Sequence, residues 1–215
     1  MKTPITRQRL RHHFTYCGWM YVVLVVASIF GWDLIYTMTA PRIPPEKQVS
    51  FYVAAPGASD QALSAFMQEA WEQVLPDMED VSYVTLLGSS DVDYTGVMQL
   101  STYIAVGQGD VYMLKREDFR QNAAMGAMLP LEALIESGQL RVPEAVNLNK
   151  GYVTLTDPNG NAGERHLFAI PCQELSGFKE KLGINPEDMY LSVMSYSGNQ
   201  ANALKFVQYV LDVMQ

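Results

Sequence analysis

The stretch Val106 to Phe119, VGQGDVYMLKREDF, sets two glycines beside an acid and then crowds charge together. A glycine loop cradles phosphate when it follows a strand and carries a Gly-x-Gly-x-x-Gly pattern or a Gly-Lys-Ser/Thr ending. Gly107-Gln108-Gly109 has neither and precedes the strand-like run Val111 to Leu114. It reads as a helix cap and a turn leading into that strand. Asp91 and Asp93 flank Val92, and Asp77, Glu79 and Asp80 form a second acidic cluster. Paired carboxylates hold a cation or do acid–base work, but solvated loops of an acidic chain are the plainer reading here. Asp157, Asn159 and Asn161 alternate like the start of a calcium loop. Gly160 comes too early for that motif and its closing acid is missing, so turn chemistry accounts for them. His166 is the one histidine beyond the first apolar segment, no serine sits in a Gly-x-Ser-x-Gly elbow, and Cys172 follows Phe-Ala-Ile-Pro as a lone, core-type cysteine. This set supports no enzyme and calls for no metal and no cofactor.

The charge is unevenly spread. Lys2, Arg7, Arg9 and Arg11 precede the first long apolar run. From Ala40 onward there are 11 Lys plus Arg against 22 Asp plus Glu, a net of −11. An acidic domain repels phosphate backbones, which excludes nucleic acid as the expected partner. The run Tyr16 to Trp32 holds 17 residues without a charge. As a helix it covers about 25 Å, and extension to Thr39 gives about 36 Å, enough to span a bilayer with Asp33 near an interface. Trp19, Tyr21, Trp32 and Tyr36 lie toward its ends, where amphipathic rings favour the headgroup level. The basic tail places the N-terminus in the cytoplasm and the acidic domain outside the cell membrane. Two other readings stand beside the uncleaved anchor: a signal peptide cut after Ala40, and a buried core helix. The expected organisation is a basic tail over residues 1–13, an anchor in the lipid bilayer over 14–39, a proline linker over 40–48 and an extracytoplasmic domain over 49–215. Cys17 and Cys172 fall in different parts of this plan, so no disulfide is expected.

The elements that must position these residues follow from periodicity. Val49 onward reads as a strand ending at Pro56-Gly57. Ser59 caps a helix whose apolar face is Leu63, Phe66, Met67, Ala70, Trp71, Val74 and Leu75. Val81 to Leu87 is a second strand, Thr95 to Ala105 a helix, Val111 to Leu114 a third strand and Glu117 to Met125 a helix ended by Gly126. A short helix before Gly138 follows. This alternation predicts an α/β domain with a mostly parallel sheet and helices on both faces. Then Tyr152 to Thr156 and His166 to Ile170 predict a β-hairpin around Asp157-Pro158-Asn159-Gly160. Further on come a short helix, a second helical start at Asn185-Pro186, a returning strand in MYLSVMSYS and a helix from Asn199 to Met214. The last helix shows Ala203, Leu204, Val207, Leu211 and Met214 on one face, the mark of core packing rather than membrane contact.

The order of these pieces resembles the extracellular solute-binding proteins of bacterial ABC importers, with the periplasmic-binding-protein type II fold. Gly109, Asp110 and Val111, then Gly126, Met128, Leu129, Pro130 and Leu131, carry the resemblance, together with Leu167 to Pro171 and the stretch NQANALKFVQYVL. The resemblance implies a lobe that binds a small polar solute, a sugar or a peptide, for an ABC transporter permease or a sensing partner. Only residues 173–215 remain after Cys172, so the expectation is a single lobe with its last strand and helix reattached. Ligand in such α/β sheets lies beyond the carboxyl ends of the parallel strands. That names Pro56, Gly57, Ser59, Ser89, Ser90, Asp91 and Lys115 as site residues, and the resemblance adds Gln173, where such proteins cross to their second lobe. The other function class is a degenerate single lobe that docks on a membrane protein or associates with itself.

Overall fold

The computed structural model describes residues 7–39, 43–86, 94–156 and 160–215. The chain divides after Arg42 into two compact units. In the first, α1 (Arg7–Thr39) is a single helix. Its stretch Gly18–Thr39 has 22 residues and a mean hydropathy of 1.8, long and apolar enough to cross a membrane. The hydroxyls of Ser28 and Thr39 donate to the carbonyls of Leu24 and Ile35, so their polar atoms are satisfied within the helix.

The second unit is built on a five-stranded sheet with the order β2-β1-β3-β7-β6. These strands are β1 (Gln48–Val53), β2 (Asp80–Thr85), β3 (Val111–Lys115), β6 (Ile170–Pro171) and β7 (Met189–Val193). β1 pairs parallel with both β2 and β3. β7 pairs antiparallel with β3 and with β6. Four strands therefore point one way and β7 alone is reversed, as expected of a mostly parallel sheet with a returning strand.

The sheet is buried on both faces because its strands are apolar at successive positions. Val49, Phe51, Val53, Val111, Met113, Leu191 and Val193 face one cluster. Helices α2 (Asp60–Val74), α6 (Gly177–Leu182) and α7 (Gln200–Met214) close that side. Tyr52, Tyr112, Leu114 and Tyr190 face the other cluster. There they meet Leu100 of α3 (Tyr94–Ala105) and Phe119 and Ala123 of α4 (Arg116–Ala124). The short α5 (Glu132–Glu136) follows, and Leu131 just before it is buried. A separate hairpin of β4 (Tyr152–Thr156) and β5 (Ala162–Leu167) lays Val153 and Leu155 against the second cluster.

Four expectations change. The second hairpin strand is Ala162–Leu167 and not His166 to Ile170. The chain breaks at Phe168, whose N–H donates to Gly151 O, and Ile170–Pro171 then joins the main sheet. No helix starts at Asn185-Pro186: the Asn185 side chain accepts from Glu187 N–H at 3.3 Å, and Asp188 takes a φ of 56°. That local turn competes with helix formation. Asn199 precedes α7, yet its side chain makes no cap bond. Its Nδ2 donates instead to Glu46 O at 2.8 Å and Gln48 O at 3.2 Å, tying the start of the domain to α7. The buried face of α7 also differs from the sequence stripe: Phe206, Tyr209 and Val210 join it, and Leu204 is only half-buried.

The glycines of the opening stretch do what a cap and a turn require. Gly107 and Gly109 both have positive φ, 69° and 80°. A Cβ on Gly109 would lie 2.6 Å from the Tyr52 ring and 2.7 Å from the Tyr112 ring. Asp110 is buried, and its carboxylate accepts from Ser50 N–H at 2.9 Å and from the Ser197 hydroxyl at 2.6 Å. It joins β1 to the chain after β7, a structural role.

Candidate functional site

The carboxyl ends of β1, β3 and β6 lie along one edge of the sheet. The reversed β7 brings its amino end to that same edge, with Met189 opposite Lys115 and Cys172 N–H donating to Met189 O. Segment 172–189 therefore runs along the edge where ligand was expected.

Pro56 and Gly57 follow β1. Gly57 has a φ of 80° and Gly183, at the end of α6, a φ of 71°. Each backbone passes so close to the other that a Cβ on Gly57 would sit 3.3 Å from Gly183 O. Ser59 N–H donates to Leu182 O at 3.1 Å. The Ser59 hydroxyl accepts from Ala62 N–H, so it serves as the cap of α2. Lys115 ends β3 and leads directly into α4, where Arg116 pairs with Asp188. Tyr190 first, and then Asp188, hold the Arg116 guanidinium above its usual range. Burial pushes the Asp118 carboxyl up, and Lys115 opposes that rise.

Gln173 follows β6 and accepts from Lys150 Nζ at 2.5 Å. It lines an open groove of about 310 Å³ with Ser176, Lys179, Glu180, Asn185 and Glu187. At the carboxyl edge, the lining side chains carry amides, a hydroxyl and charges of both signs, with Pro186 among them, and much of the wall itself is apolar. Of the sequence-named residues, Pro56, Gly57, Ser59, Lys115 and Gln173 all fall on this edge, and Gln173 alone lines the groove. Ser89, Ser90 and Asp91 lie outside the described residues. The other groove residues were not named from sequence. Only the reversal of β7 carries 185–187 to this edge, and no local signal announces that pairing.

The remaining chemistry is accounted for by packing. Cys172 is fully buried and burial pushes its thiol up, away from reactive thiolate. His166 lies opposite Val153 in the hairpin, with Nδ1 at 3.3 Å from Glu132 and Nε2 at 3.4 Å from Glu164. Among the described residues no group of three or more His, Cys, Asp or Glu is placed to hold a metal ion.

Neither a protein-family model nor a curated protein sequence matches the chain. Solved structures do. One is an ABC substrate-binding protein of Listeria monocytogenes in complex with cycloalternan, at 27% identity and a TM-score of 0.38 over 49% of this chain and 25% of that one. A family 1 extracellular solute-binding protein of Alicyclobacillus acidocaldarius matches at 18% identity and a TM-score of 0.39, over 60% of this chain and 29% of that one. The spermidine/putrescine ABC transporter substrate-binding protein of Streptococcus pneumoniae matches at 11% identity and a TM-score of 0.42, over 77% of this chain and 78% of that one. The chain thus spans less than a third of the first two proteins. The solved structures it is similar to are solute-binding proteins of ABC transporters.

Proposed function

We propose that the chain is a membrane-tethered, extracytoplasmic solute-binding-like domain that takes a small polar solute, a sugar or a peptide, in association with ABC-type uptake or sensing. α1 is its anchor in the bilayer, with the N-terminus cytoplasmic, and a transporter permease or other membrane protein is its partner. The supporting observation is the groove beside Gln173, a partly apolar wall that carries amides, a hydroxyl and charges, at the strand ends where the sequence resemblance implies ligand. Its volume is at the small end of ligand sites, which suits a monosaccharide or a dipeptide better than a long chain. Amides with neighbouring charges of both signs can hydrogen-bond hydroxyls or a zwitterion. Pro56, Gly57, Ser59, Ser89, Ser90, Asp91 and Lys115 are the proposed outer contacts of a ligand on this edge.

The test is thermal unfolding of the full chain in mild detergent against sugars, oligosaccharides, amino acids and peptides. A ligand at ~100 times its Kd adds about 2.7 kcal/mol, a shift of several degrees. The expected result is a reproducible shift confined to one chemical class. A flat response from a folded sample contradicts the proposal.

A further inference from the structure

The two edges of the main sheet are guarded very differently. β6 is two residues long and ends in Pro171, a short edge blunted by proline. β2, at the other edge, is six residues, DVSYVT, with no proline, lysine or glycine. Leu86 N–H donates to Val53 O at 2.9 Å, so the even-numbered residues of β2 direct their backbone groups at β1. Val81, Tyr83 and Thr85 therefore point their N–H and C=O groups outward. Among the described residues no backbone hydrogen bond reaches these outward groups. A row of donors and acceptors that no described residue answers, on β-favouring residues, is a template for another strand.

We propose that this edge pairs with β2 of a second copy of the chain, antiparallel and across a two-fold axis. A two-fold axis at Tyr83 overlaps the strand along its whole length. Tyr83 lies opposite Tyr83 of the second copy, and Val81 lies opposite Thr85. In that register every outward-pointing residue of one strand meets an outward-pointing residue of the other, so each donates and each accepts. Ser82 then faces Val84, and Asp80 faces Leu86, so no like charges are opposed. The Tyr83 ring already has a fixed position, because its hydroxyl donates to Asp60 O at 3.1 Å and Asp60 Oδ1 at 2.8 Å. The two tyrosines therefore meet as pre-ordered neighbours. The result is a single sheet continuous through two copies, with the carboxyl edge of each left open. The register does not depend on solute binding.

The experiment uses the full chain in mild detergent, with Cys17→Ser as background. Tyr83→Cys is oxidised with copper-phenanthroline and run on a non-reducing gel. The expected result is a covalent dimer, because the two positions face one another. Thr85→Cys alone gives none, because its counterpart in the register is residue 81. Thr85→Pro removes one outward N–H and leaves the β1 ladder whole. By light scattering the background chain is expected at twice the chain mass and Thr85→Pro at the chain mass, with matching circular dichroism. The proposal is overturned if the background chain is monomeric, or if Thr85→Pro keeps the dimer. Equal linking by Thr85→Cys and Tyr83→Cys also overturns it. Light scattering decides alone if Tyr83→Cys fails to fold.

Discussion

Asp110 shows how a single residue couples the protein's stability to pH. Burial is the main cause that lifts its carboxyl above the ordinary 3.8, against the hydrogen bonds from Ser197 and Ser50 that pull it down. A carboxyl raised on folding holds its proton more tightly in the native state. Its stabilising contribution is complete below the unfolded value and is lost as the pH rises through the raised folded value. Asp110→Asn cannot titrate. Melting curves taken from about pH 4 upward should show the wild type losing ground to the Asn variant and then running parallel to it. A constant gap throughout would mean that Asp110 does not titrate in this window. One position away, Gly109→Ala forces a left-handed backbone and a clash with the Tyr52 and Tyr112 rings. The expected loss is about 2–4 kcal/mol, read from the urea midpoint. At this scale the sequence was informative about Gly107, Gly109 and Ser59, because φ > 0 and N-cap preferences are local. It was silent on Asn199, whose side chain serves Glu46 and Gln48 from far along the chain.

At the scale of elements, α6 is the piece that shapes the groove. Lys179 and Glu180 line it, and Gly177 packs the helix directly on α7. A Cβ at Gly177 would lie 2.7 Å from Met214 Cα. Gly177→Ala should cost about 1–3 kcal/mol by forcing two backbones apart, measured by urea unfolding. An unchanged midpoint would show that α7 moves aside freely. The alternation of strand and helix from Val49 to Gly138 was legible, since the apolar spacing switches cleanly between the two periods. The split of β5 from β6 was not. It hangs on Phe168 N–H finding Gly151 O and on Cys172 N–H finding Met189 O, contacts between distant segments. The helical signal at Asn185-Pro186 was misleading for a related reason: the chain turns there to enter β7. Gln173 was the one groove residue named from sequence, and it was reached through the family resemblance, as the place where such proteins cross to a second lobe.

At the scale of the whole molecule, the chain joins an apolar helix to an acidic α/β unit whose sheet is covered on both faces. The carboxyl edge carries a groove lined by polar side chains on a partly apolar wall, and the β2 edge carries backbone groups that no described residue answers. The two features are separate in space and chemistry, so binding and self-pairing can be tested apart. The claim on which the account turns is that the groove takes a solute. Calorimetric titration of the full chain with the solute class selected by thermal unfolding tests this directly, with Gln173→Ala beside the wild type. The account predicts saturable heat at one site per chain, and an affinity about tenfold weaker in Gln173→Ala, the loss of roughly one hydrogen bond in a partly wet groove. No heat from any sugar, oligosaccharide, amino acid or peptide in a folded sample would contradict it, as would saturable binding that Gln173→Ala leaves unchanged.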